Sequence, residues 1–232
     1  MTAMRRRDDD QILEAMRDME TPAGAMQLAE RLRIPPASIG RSLLRLENQG
    51  LVAKVQNKGR VITDKGRQRL EDQRSKQHKM QVASELIEAA SVETEANLRD
   101  ILLVRCLLEG YTAKACTEHI RPEELEELKD IQFDYVYELK HGRTGSEEDL
   151  KLHLKIAEIA GSPTITRVLR LILTDQNAYA TFTRAAMQTE SLKYNEHDDI
   201  LAAIKSGDGE RAKAEMEKHL SRVGANVHNY LQ

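Results

Sequence analysis

The chain has 232 residues, 40% hydrophobic and 31% charged, which allows one large domain or two small ones with a buried core. Aromatics make up only 3% and Trp is absent, which argues against carbohydrate-stacking sites and against nucleic-acid platforms of stacked rings. The net charge of −3 divides into +6 over residues 1–80 and −9 over the remainder, so the front is the part suited to a polyanion.

From the N-terminus, DDDQILEAMRDM places Ile12, Leu13, Met16 and Met19 on one helical face behind an acidic start. Thr21-Pro22-Ala23-Gly24 breaks the chain, and AMQLAERLRI predicts a short helix with Met26, Leu28, Ala29 and Leu32 inward. Pro35-Pro36 makes a turn and opens a third helix with Ile39, Leu43 and Leu46 inward, stopped at Gly50. Val52, Val55, Val61 and Ile62 flank the turn signal Asn57-Lys58-Gly59, giving a two-stranded wing. Together these predict a winged helix-turn-helix over residues 1–76. Its third helix offers Ser38, Arg41, Ser42 and Arg45 outward to a major groove, and the wing offers Lys54, Lys58 and Arg60 to phosphate or minor groove. The competing reading of such a unit is a protein-interaction module.

Residues 77–94 are expected to connect this unit to a second one at 95–232, where every segment has helical apolar spacing. Pro122, Gly142, Gly145, Gly161, Pro163, Gly207 and Gly209 separate the helices, and Ser146 and Asp208 stand as caps. The fold class is therefore mainly α: a winged helix followed by a bundle of six or seven antiparallel helices. Cys106 and Cys116 are read as reduced core residues of a cytoplasmic protein. No apolar run approaches the roughly 18 residues of a membrane span. The start MTAMRRRDDD lacks the apolar stretch of a signal peptide.

In DLKLHLKIAEIAG, Asp149, His153, Ile156 and Ala160 lie along one stripe, so the carboxylate and the imidazole face inward. His197 shares a face with Ile200, Leu201 and Ile204, and His219 shares one with Met216, Leu220 and Val223. Three helices thus supply one acid and three imidazoles, a set that suits zinc first, or nickel, manganese or iron. The alternative for each histidine is a core residue bonded to a carbonyl. His78, His119, His141 and His228 fall in polar or terminal surroundings.

The pattern D-x-x-x-H at 149–153, then HDDILAAIKSGD at 197–208, then MEKHL at 216–220, resembles the effector-binding FCD domain of FadR-type GntR regulators. RCLLEGYTAKAC at 105–116 resembles that domain's early helix. The resemblance implies a metal held by Asp149, His153, His197 and His219, and a small carboxylic acid effector touching it. It also implies a homodimer on an inverted-repeat DNA operator, acting as a repressor whose DNA contact the effector modulates. By the same resemblance Arg105 pairs with the effector, its alternative being a salt bridge to Glu109. The winged-helix half departs from the family: where V-S-R-x-x-V-R is usual the chain reads IPPASIGRSLL, with Pro36 and Gly40 at the arginine positions. Two rival functions use the same ligands, a metal-dependent enzyme and a sensor of the metal itself. The enzyme lacks an evident general base, since no glutamate accompanies the histidines as in H-E-x-x-H.

Overall fold

The computed structural model describes residues 2–19, 21–90, 94–173, 182, 185 and 196–231. It divides into two compact units, Met1–Ala83 and Ser84–Gln232. The division falls inside the expected connection at 77–94 and within a helix, α4.

In the first unit, α1 (Thr2–Arg17), α2 (Ala25–Leu32) and α3 (Pro36–Asn48) precede the antiparallel pair β1 (Val52–Val55) and β2 (Gly59–Ile62), and α4 (Asp64–Ala90) follows. Ile12, Leu13, Met16, Leu28, Ile39, Leu43 and Leu46 form a core closed by Val52, Ile62 and Leu70. Pro36 opens α3 at its first turn, where a missing N–H costs nothing. In the wing, Val52 faces Ile62 and Lys54 faces Arg60. Ala23 exchanges two backbone hydrogen bonds with Arg60, of 2.8 and 2.9 Å, as a third rung. Gly59 permits this: its φ is +120°, and a Cβ there would stand 2.6 Å from the Ala23 carbonyl oxygen.

Three details differ from the sequence reading. Helix α1 starts at Thr2, so Asp8, Asp9 and Asp10 lie within it rather than at its N-terminus. Met26 is 73% exposed, because Leu28, Ala29 and Leu32 fix the inward face of α2 and put it two residues off that face. The N-cap of α7 is Gly145 rather than Ser146, which is the first helical residue.

The second unit contains α5 (Glu95–His119), α6 (Pro122–Lys140), α7 (Ser146–Ile159), α8 (Pro163–Leu173), α9 (Glu196–Ser206) and α10 (Gly209–Leu231) among the described residues. The expected extension of α8 over 174–186 lies outside them except at Phe182 and Ala185. The Thr94 hydroxyl caps α5 by accepting from Asn97 N, and the Asp208 carboxylate caps α10 by accepting from Arg211 N. Helix α5 packs on α7, α8, α9 and α10. Its contacts with them close two apolar clusters, one around Leu128, Ile156, Ile200 and Met216, the other around Leu98, Leu169, Ile172 and Val227. Cys116 is buried in the first cluster, and burial pushes its thiol up to about 12. Neither cysteine forms a disulfide. No helix among the described residues is long and apolar enough to cross a membrane.

Candidate metal centre

Asp149 and His153 come from successive turns of α7, His197 from the first turn of α9, and His219 from the middle of α10. Each is carried inward by apolar neighbours: Leu152 and Ile156, Ile200 and Ile204, Met216 and Leu220 are all buried. One ligand atom from each of the four lies within 4.8 Å of every other. Donors about 2.1 Å from a common ion stand at most about 4.2 Å apart, so less than an ångström of closure brings this set onto one ion. The imidazole centroids are 4.7 to 5.5 Å apart. His119, His141, His78 and His228 are exposed, as their polar surroundings suggest.

The outer nitrogens are already assigned. His197 Nδ1 lies 3.0 Å from Gln132 Oε1, and the Gln132 amide donates in turn to Asp198 Oδ1 at 3.2 Å. A glutamine carbonyl can only accept, so Nδ1 carries the proton and Nε2 keeps its lone pair for a ligand. His153 Nδ1 lies against Glu109 Oε2, and its Nε2 faces Asp149 Oδ1 at 3.7 Å. His197 Nε2 is 3.2 Å from the same Asp149 oxygen. Like His153 Nδ1 and Glu109 Oε2, both Nε2 atoms are buried without a hydrogen bond among the described residues. Leaving a buried polar atom unsatisfied costs about 1–3 kcal/mol, and metal coordination would satisfy both.

Glu109 and Gln132 were not singled out as parts of this site from sequence. Gln132 carried a signal, a polar side chain one turn after buried Leu128 on the inward face of α6. Arg105 makes the contact given as its structural alternative: its Nε donates to Glu109 Oε1 at 2.7 Å, with side chains 2% and 1% exposed. The Arg105 guanidinium also lies over the Phe182 ring, 5.5 Å from its centroid.

Electrostatics follow from this packing. Burial opposes charge on Glu109, yet Arg105 and then His153 outweigh it and bring the carboxyl to about 2. Burial also opposes charge on Asp149, whose carboxyl His153 and His197 hold well below the usual range. Burial alone would depress His153, but flanking Glu109 and Asp149 lift it to about 9. His219 is pushed well below its ordinary value, by burial first and then by His197 and His153, which together outweigh the opposing Asp149.

In the first unit, Arg41, Lys54 and Lys58 are exposed and Ser38 is half-buried, and Arg41 donates to the Ser38 hydroxyl at 3.2 Å. Ser42 corrects the sequence reading: it is 4% exposed and its hydroxyl accepts from Arg45, because position 42 falls between Ile39 and Leu46 on the inward side. Arg45 is drawn against Asp9, with Nη2 to Oδ1 at 2.7 Å, and Arg60 donates to Glu47 Oε2 at 2.8 Å.

A family model of the FCD domain matches residues 100–222, and one of the ribonuclease R winged-helix domain matches residues 10–70. The chain is 22% identical to the HTH-type transcriptional regulator LutR of Bacillus subtilis over 210 residues, which cover 88% of this chain and 90% of that one. Among solved structures, Streptococcus agalactiae GntR aligns with a TM-score of 0.50 at 19% identity, over 95% of this chain and 99% of its own. E. coli McbR/YncC aligns with a TM-score of 0.53 at 15% identity, over 99% and 97%. These last two likenesses speak for the fold.

Proposed function

Since the chain belongs to the FCD-domain family of GntR-type transcriptional regulators, we propose that Asp149, His153, His197 and His219 hold a divalent metal ion at which a small organic carboxylate binds. In this reading the acid sets the grip of a homodimer on an inverted-repeat operator, and binding of the acid releases a repressor. The curated relative LutR is a transcriptional regulator rather than an enzyme, and no observation at the site favours turnover.

The observation that carries the proposal is the convergence of four donors from three helices, with two imidazole Nε2 atoms buried and unbonded among the described residues. Zinc is the first candidate for an Asp/His3 set. When bound, a divalent ion supplies an electrophilic centre for a carboxylate. The protein's own residues do the rest. Gln132 and Glu109 hold the His197 and His153 rings by their Nδ1 atoms, so that Nε2 points at the centre.

Charge balance favours an anionic effector. Arg105, Glu109 and Asp149 with a divalent ion and neutral imidazoles sum to +1, and a monocarboxylate brings the buried set to zero. Arg105 is proposed as the cation that pairs with the acid. On the DNA side, Ser38 and Arg41 are proposed to reach base edges, and Lys54 and Lys58 to reach phosphates. Arg45 and Arg60 would do so only on leaving Asp9 and Glu47.

Metal analysis tests this, with wild type beside His197→Ala/His219→Ala and a thermal-shift screen of organic acids on both. About one metal per chain is expected, lost in the variant together with every acid-induced stabilisation. A wild type that takes up no divalent metal on reconstitution would refute the site. Operator binding measured with and without a stabilising acid then tests release.

A further inference from the structure

Helix α3 carries a glycine that the packing of its own unit does not require. Gly40 is helical and sits inside Pro36–Asn48, and a Cβ added there meets nothing within 4 Å. Gly59 and Gly66 of the same unit differ, since a Cβ on either would run into a neighbouring carbonyl oxygen. At a helical position with open space, alanine favours folding over glycine about five-fold. A bare helix surface of this kind suits a molecule that comes close to the backbone.

The surroundings of Gly40 point to the occupant. At about 100° per residue, Ala37, Gly40, Arg41 and Leu44 are neighbours on successive turns, on the side turned away from buried Ile39, Leu43 and Leu46. Ala37 and Arg41 are exposed, and Leu44 is 56% exposed. The patch is therefore shallow and apolar, with one long cation at its edge. The segment that carries it, residues 1–80, has a net charge of +6, and Lys54 and Lys58 stand exposed on its wing. A polyanion that presents apolar groups between its charges matches both features. Duplex DNA is one, because its major groove displays the thymine C5-methyl group.

We infer that this patch reads thymine methyl groups, with Ala37 and Leu44 each packing on one and Arg41 taking the edge of an adjacent guanine. Ala37 is too short to touch a base unless the helix backbone itself comes close. Gly40 permits that approach, because no side chain there holds α3 away from the groove. The inference rests on the operator-binding reading above and adds what α3 distinguishes within the operator. Leu44, whose apolar character sets it apart from the polar residues expected on the outward face, becomes a specificity-determining residue.

The probe is a duplex that the full chain selects from a random library, beside the same duplex with uracil in place of every thymine. Uracil keeps each hydrogen-bonding group and loses only the methyl. One buried methyl corresponds to about four-fold in affinity, so the two of a half-site should weaken wild-type binding to the uracil duplex about 15-fold. Leu44→Ala is expected to lose affinity for the thymine duplex and not for the uracil one, which leaves about four-fold discrimination. Gly40→Ala is expected to split stability from binding. Its unfolding constant in urea should fall about five-fold while its dissociation constant from the thymine duplex rises about ten-fold or more. Equal wild-type affinity for the two duplexes overturns the inference and leaves operator binding standing. So does a Gly40→Ala chain that binds like wild type, or a Leu44→Ala chain that keeps the full discrimination. A wild type that selects no duplex, with or without zinc, overturns the operator reading and this inference with it.

Discussion

Arg45 with Asp9 in the winged-helix unit, and Arg105 with Glu109 in the helical unit, make the same guanidinium–carboxylate contact at the same 2.7 Å, but at opposite depths. The first pair has side chains 40% and 10% exposed, the second 2% and 1%. Water reaches Arg45 in the first pair and screens it. Nothing replaces the partners of the second, so a lone survivor there is a bare buried charge. In the winged-helix unit Asp9 is buried but Arg45 reaches solvent, so the pair can open toward water or phosphate. The helical unit places charge at its centre, where only a matching ion or acid relieves it.

The largest effect expected from this contrast is that of Glu109→Ala. It strands Arg105 and lowers the stability of the helical unit by about 3–5 kcal/mol, read by urea unfolding followed by circular dichroism. A loss below about 1 kcal/mol would mean that the buried pair behaves like a surface one. Next comes metal removal. Saturating zinc at a hundred times its dissociation constant is expected to stabilise the wild type by about 2.7 kcal/mol. Chelator should abolish that gain, and Asp149→Ala should never show it.

The third effect is a pH dependence with two opposite signs. His153, raised to about 9, contributes stability to the metal-free protein that is full below its unfolded value of about 6.5 and lost as pH rises through 9. Coordination requires the neutral ring, so a metal must displace that proton. The melting-temperature gain on adding zinc should therefore grow from pH 6 to pH 9, and a flat gain would remove His153 from the ligand set. Glu109, lowered to about 2, works at the acid end: its contribution is present above about 4.3 and disappears as pH falls toward 2. The smallest stability effect is that of Arg45→Ala, about 0.2–1 kcal/mol. A larger loss would mean that the Asp9 contact is structural and withheld from DNA.

The sequence disclosed the four converging side chains because each sits on a helix long enough to fix its own phase. Asp149, His153, His197 and His219 lie one turn from buried aliphatic residues, and helical spacing alone points them inward. Ser42 was misplaced because it lies near the edge of its helix's apolar stripe, where a small rotation decides burial, and Met26 because its hydrophobicity suggested an inward place that the phase of Leu28, Ala29 and Leu32 denies it. The partners of the four converging side chains were harder to see. Gln132 reaches His197 from 65 positions away on another helix, and no local spacing encodes that meeting. The wing was legible from Asn57-Lys58-Gly59, but the third rung supplied by Ala23 depends on the loop after α1 folding back onto Arg60.

Gly145 enters α7 with φ +61°, and a Cβ there would stand 2.6 Å from the Tyr135 ring. Tyr135 in turn lies 5.0 Å from the His197 ring, centroid to centroid. A loop residue that touches no ligand is thus one side chain removed from the centre. Inherited variation at position 145 would be expressed as altered ligand orientation before it was expressed as a looser turn. A selection for regulators deaf to their signal could find its answer in this glycine, without touching a histidine.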